Sequence, residues 1–150
     1  MAMLKQYFPA ILFSTILTFS LSCATGNQKS GMVFENSKVY PSVVCNADKS
    51  QTYALFLPPQ YQSGKPCPVL ILFDAHGDGL LPVNLFSAEA AKNGFILAGS
   101  NNSKNGLTYE KTTAIYRSLL KDIQDKFTIE KKAIYLCRDP ALHCSVFDGM

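Results

Sequence analysis

Three apolar runs constrain this chain more than anything else in it. Val69-Leu70-Ile71-Leu72-Phe73, Phe95-Ile96-Leu97-Ala98-Gly99 and Ala133-Ile134-Tyr135-Leu136-Cys137 are continuous rather than alternating. A strand with one wet face alternates apolar and polar residues, so an unbroken run fits a strand covered on both faces, as in a parallel sheet flanked by helices. The stretches between the runs have helical length. Val83, Phe86, Ala90 and Ala91 share one face of a predicted helix from Val83 to Asn93, and Gly94 stands where a helix end takes positive φ. Thr108 can cap a second helix running to about Phe127, with Ile115, Leu119, Ile123 and Phe127 recurring every four residues while Arg117, Lys121, Asp122 and Asp125 stay off that stripe. Strands alternating with such helices imply βαβ crossovers, hence an α/β class with a mainly parallel sheet.

Ahead of these units, Lys38 to Cys45 and Thr52 to Leu57 read as two short strands around the turn-rich Asn46-Ala47-Asp48-Lys49-Ser50, an antiparallel N-terminal pair. Residues 58–66, with prolines at 58, 59 and 66, cannot continue a ladder because proline has no amide hydrogen, so they form a loop.

The first segment reads as an address. Lys5 precedes an apolar run from Phe8 to Leu21 that closes on Ser22 and Cys23, a secretory layout too short for a comfortable membrane span. The small residue before Cys23 suggests a bacterial lipoprotein signal in which this thiol is acylated, although Ser20 stands where such signals usually carry Leu. Cleaved secretion and an uncleaved anchor are the alternatives. Residues 1–23 are thus the expected signal and 24–37 a flexible tether. The body is expected in the bacterial cell envelope, held to the membrane by lipid, or secreted.

Removing residues 1–23 takes away Lys5 and no acid, which leaves 13 basic and 11 acidic side chains of the chain's 14 and 11. So small a surplus, with scattered bases, gives no argument for nucleic acid. Of the five cysteines, Cys45 and Cys67 bracket a predicted strand pair in a way that could close a loop, and export permits disulfides. Spacing alone leaves the pairing open. Cys137, at the end of an apolar strand, reads as a buried small hydrophobe rather than a nucleophile. No Cys/His set has metal spacing, and no cofactor is implied.

The segments Tyr53-Ala54-Leu55-Phe56-Leu57-Pro58-Pro59-Gln60-Tyr61, Pro68 to Gly77, Gly94-Phe95-Ile96-Leu97 and Ser100 to Gly106 together resemble the N-terminal half of α/β-hydrolases of the esterase type. These include bacterial families related to polyhydroxyalkanoate depolymerases and other exported serine esterases or peptidases. The resemblance covers about residues 38–137. It implies acyl transfer to water through a serine acyl-enzyme, with a small acyl ester or peptide as substrate in an intact homologue. It also implies that the loop after the third strand lends one backbone amide to the oxyanion hole, with Ala75, His76 and Gly77 as candidates by position. His76 reads as a loop-orienting residue, a solvated side chain or a catalytic base. The last is disfavoured because triad histidines of this fold come late in the chain.

The pattern breaks at one point. The strand ending at Cys137 should enter a G-x-S-x-G elbow, but Arg138-Asp139-Pro140-Ala141-Leu142 follows. Asp139, His143 and Ser145 are triad residue types, yet a triad is assembled from distant parts of a chain, so their closeness reads as chance. No nucleophile, acid or base is identified. The expectation is a partial α/β-hydrolase domain over 38–137 and a non-matching tail over 138–150, as a reading-frame shift before the elbow would produce. The alternative is a non-catalytic envelope lipoprotein acting as a binding or interaction module, which would have to protect its open sheet edge. A nucleotide-binding or flavodoxin-like domain fits less well: the first strand-to-helix turn, Asp74 to Gly79, lacks G-x-G-x-x-G and G-K-[ST], and its two acids repel phosphate.

Overall fold

The computed structural model describes residues 32–138 and the backbone of 144–146. Residues 1–31, with the expected signal and Cys23, lie outside the described residues, as do the side chains of Asp139, His143 and Ser145. The fold belongs to a compact unit that begins at Val33. Its elements are β1 (Val39–Val44), β2 (Thr52–Phe56), β3 (Cys67–Phe73), α1 (Leu80–Asn93), β4 (Ile96–Ser100), α2 (Tyr109–Lys126), β5 (Ile129–Arg138) and β6 (Cys144–Val146), and the sheet order is β1-β2-β4-β3-β5-β6.

The three apolar runs are the adjacent centre of this sheet. β3 pairs in parallel with β4, from Val69↔Ile96 to Phe73↔Ser100, and with β5, from Val69↔Ile134 to Phe73↔Arg138. The N-terminal pair β1–β2 is antiparallel, as expected, and Pro41 falls on β1, an edge strand whose register shifts between Tyr40 and Val43. The expectation of a mainly parallel sheet is corrected to a mixed one, because β2–β4 and β5–β6 are also antiparallel.

Both faces of β3 and β4 are largely buried, which is why their sequences do not alternate, whereas in β5 only Ile134 and Cys137 are buried. Tyr53, Leu55, Val69, Ile71, Ile96 and Ala98 pack with Tyr116, Leu119, Ile123 and Phe127 of α2. The intervening Ala54, Phe56, Leu72, Leu97 and Cys137 pack with Val83 and Ala90 of α1. Helix α2 starts as its sequence implies, with the Thr108 side chain accepting from Lys111 N. Helix α1 begins three residues earlier than expected, since Asp78 Oδ1 accepts from Leu80 N and Leu81 N and holds the first turn. Gly94 ends it at φ +79°, donating to Ala90 O. The start of α1 lies against β4: a Cβ on Gly79 would come within 2.1 Å of Gly99 O, and one on Gly99 within 2.0 Å of Gly79 O. Only a glycine pair allows this approach.

Three sequence expectations change here. The tether does not extend to residue 37: Phe34 stacks edge-on with Tyr40 at 5.1 Å and meets Phe127 at 5.5 Å, Asn36 donates to Pro59 O and Tyr61 O, and Ser37 N donates to Leu57 O. The non-matching tail is not separate from the sheet either. Arg138 is the last residue of β5, and β6 runs antiparallel along its outer edge, with Tyr135↔Val146, Leu136↔Ser145 and Cys137↔Cys144 as Cα partners. Finally, Cys45 and Cys67 are free thiols. β2 and β4 lie between their strands, so they are three strand spacings apart, about 14 Å, and at opposite ends of the sheet, far beyond the reach of a disulfide. Cys67 Sγ instead donates to Gly94 O at 3.2 Å. Cys137 is buried, as read, and is disulfide-bonded.

Candidate functional site

Helices α1 and α2 cover opposite faces of the sheet, so the loops leaving β3 and β4 diverge at the carboxyl ends of these neighbouring parallel strands. Open α/β sheets bind ligands in the crevice such divergence creates. Here it holds a pocket of about 200 Å³, lined by Asp74 and Ala75 after β3, Ser103, Lys104 and Asn105 after β4, and Arg138 at the end of β5. Lys104 and Arg138 are exposed cations, whereas Asp74 is 7% exposed.

The loop after β3 is wound around Asp74. Its Oδ2 accepts from His76 N at 2.6 Å and Asp78 N at 3.3 Å, and Gly77 N donates to Asp74 O at 3.4 Å. Burial pulls the Asp74 pKa up, but the amides of His76, Asp78 and Ala75, with the nearby His76 imidazole, outweigh it and hold the group below the usual carboxylate value. A turn of this kind, with successive amides converging on one point, is an anion cradle. In this chain the anion is the loop's own side chain.

Of the three oxyanion-loop candidates only Ala75 lines the crevice, while the His76 amide is taken by the Asp74 carboxylate and the Gly77 amide by the Asp74 carbonyl. Ala75 O accepts from Asn105 N at 2.8 Å, which joins the two loops across the crevice. Gly77 has φ +80°, and a Cβ there would lie 3.3 Å from Asn101 O and 3.4 Å from Ser103 O, so this glycine serves the packing of one loop on the other. The His76 side chain is 90% exposed, with Nδ1 3.7 Å from Asp74 Oδ2. Asn101 braces the opposite wall: Nδ2 donates to Pro41 O and Thr52 Oγ1, and Oδ1 accepts from Gly79 N. Ser100 Oγ accepts from Asn102 N and Ser103 N, leaving a buried hydroxyl engaged in holding the turn.

A second polar cluster escaped the sequence reading. Asp122, expected off the buried stripe of α2, is 0% exposed. Its Oδ1 accepts from Asn46 N at 2.8 Å, and its Oδ2 accepts from Tyr53 Oη at 2.8 Å and pairs with Lys126. Lys126 Nζ also donates to Val44 O and lies 5.5 Å from the Tyr53 ring centre. Burial pushes the Cys45 thiol beside this cluster up to about 11, with the Asp122 charge adding and Lys126 subtracting. Burial first, then Asp122, also raises Tyr53. One sequence signal existed: Asp122 and Lys126 are four apart on α2, spaced to pair.

Among the described residues no three His, Cys, Asp or Glu are grouped to hold a metal ion, and no helix is long and apolar enough to cross a membrane. No family model matches the chain, and no curated protein does. Among solved structures it is similar to an S-formylglutathione hydrolase from Agrobacterium tumefaciens, at 16% identity and a TM-score of 0.45, over 67% of this chain and 47% of that one. The chain thus spans about half the length of that enzyme.

Proposed function

We propose that this chain is an exported α/β-hydrolase-like domain that holds a small acyl ester or peptide in the crevice between the β3 and β4 loops without hydrolysing it. The carrying observation is Asp74: its carboxylate takes the amides of His76 and Asp78, which an oxyanion would otherwise need. From the last residue of β5 on, Arg138-Asp139-Pro140 carries no G-x-S-x-G, so the position that presents a nucleophile in the resembled enzymes has no serine flanked by glycines. Lys104 and Arg138 remain as donors for a carbonyl or carboxylate oxygen of the ligand.

The test has two arms. p-Nitrophenyl butyrate should be turned over no faster than in buffer, and a fluorophosphonate probe should leave the protein unlabelled; a labelled serine overturns the non-catalytic reading. The same ester should shift the amide resonances of Lys104, Asn105 and Arg138 saturably, and a flat titration overturns the crevice as the binding site.

Export and lipidation at Cys23 belong to the same proposal. The layout of residues 1–23 supports them. Radiolabelled palmitate should enter the protein in a bacterial host and fail to enter Cys23→Ala.

A further inference from the structure

Asp74 is 7% exposed, and its loop uses only one of its two carboxylate oxygens. The His76 and Asp78 amides both end on Oδ2, and the His76 imidazole is closest to the same atom. No hydrogen bond ends on Oδ1 among the described residues, and unlike Gln51 Oε1 this oxygen is not sealed from solvent. An ionised carboxylate offers about four acceptor positions, so Asp74 keeps acceptor capacity that its loop does not use. The crevice is the space that Asp74 lines, so the open oxygen faces it.

Strand β3 lies between β4 and β5, and so Lys104 from one side and Arg138 from the other flank Asp74 in the crevice wall. Both cations are exposed, and neither forms an ion pair with Asp74 or with any other acid among the described residues. The crevice thus holds one fixed negative charge and two positive ones that do not neutralise one another by contact. A ligand with a single charge meets attraction on one wall and repulsion on the next. A ligand that carries both signs satisfies all three groups. The volume of about 200 Å³ is below the usual range of ligand pockets and limits the occupant to a molecule of dipeptide size.

We propose that the crevice takes a zwitterion, a short peptide with both termini free, and that Asp74 Oδ1 selects its amino end. The ligand ammonium donates to Oδ1, and the ligand carboxylate accepts from Lys104 Nζ and the Arg138 guanidinium. The amides on Oδ2 hold the carboxylate fixed and charged for this contact. The proposal rests on the crevice as the ligand site and narrows its occupant from an ester or peptide to a peptide.

Titration of the ¹⁵N-labelled full chain with alanyl-alanine at neutral pH tests it against two analogues: propionyl-alanine, the same skeleton without the ammonium, and alanyl-alaninamide, without the carboxylate. Alanyl-alanine should give saturable shifts at Ala75, Lys104, Asn105 and Arg138. Propionyl-alanine should bind about tenfold more weakly, the size of one charge-assisted hydrogen bond, and alanyl-alaninamide about fivefold, the size of an exposed ion pair. In Asp74→Asn the advantage of alanyl-alanine over propionyl-alanine should vanish, whereas Lys104→Gln should keep it; if Asp74→Asn does not fold, the analogue series on the unaltered chain decides. Equal binding of alanyl-alanine and propionyl-alanine overturns the proposal, and so does a flat alanyl-alanine titration when p-nitrophenyl butyrate still shifts the crevice. If neither molecule shifts it, the crevice is not a ligand site and both readings fall together.

Discussion

Asp74 and Asp122 are both buried carboxylates, 7% and 0% exposed, and their partners come from opposite directions. Asp74 sits at the end of a strand and is satisfied by amides two and four residues ahead of it. Asp122 sits in the C-terminal half of α2 and is satisfied by a tyrosine 69 residues earlier, an amide 76 residues earlier and one lysine a turn away. A carboxylate held by its own loop shapes the loop and needs little from the rest of the fold. One held by distant groups clamps the helix to the β1–β2 hairpin, and its partners are stranded if it is removed.

The largest effect should come from breaking the distant set. Asp122→Ala leaves Lys126 and the Tyr53 hydroxyl without their acceptor and should cost about 3 kcal/mol in urea unfolding, enough to approach the whole stability of a small domain. Asp74→Ala should cost less, about 2 kcal/mol by the same measurement, since its amides are near water and can rehydrate. This variant sharpens the contrast in a second way: the freed amides should bind acetate detectably by amide shifts at His76 and Asp78, whereas Asp122→Ala should bind none.

The two sites also differ in pH dependence. Cys45, beside Asp122, has its thiol pKa raised in the fold from 9.0 to about 11, so the neutral thiol is favoured when folded. That contribution is complete below pH 9 and is lost as pH rises toward 11; Cys45→Ala should flatten this alkaline limb of the stability profile. Asp74 has the opposite sign. Its pKa is depressed, so its contribution is present above its ordinary value of 3.8 and is lost as pH falls below it, an acid limb that Asp74→Ala should remove. The smallest change belongs to His76→Ala. With its side chain 90% exposed, stability should move by no more than about 0.5 kcal/mol, and a larger loss would mean that the imidazole, not the amides, holds Asp74.

Much of the fold was readable in the residues because the signals are local. The unbroken runs of β3, β4 and β5, the Thr108 cap and the Gly94 stop each act within a few positions. The Asp74 to Gly79 segment was readable as a strand-to-helix turn for the same reason, although its sequence did not show that Asp74 would take the turn's amides. Asp122 was misplaced because it borders the buried stripe beside Ile123, and a helical pattern cannot say how wide a covering hairpin reaches. Phe34 was read as tether because its partners Tyr40 and Phe127 come together only when β1 and the end of α2 meet.

By itself, the order of residues determined that β1 to β5 and the two helices form, where α2 starts and α1 stops, and that β3 and β4 are covered on both faces. These follow from backbone sterics, capping and hydrophobic period. Tertiary structure alone decided that Gly79 and Gly99 must touch, that Cys45 and Cys67 lie too far apart to bond, that Gln51 keeps a buried oxygen without a donor, and that β6 lies along the β5 edge. Each of these depends on a distance between residues far apart in the chain, and such distances exist only once the sheet order is set.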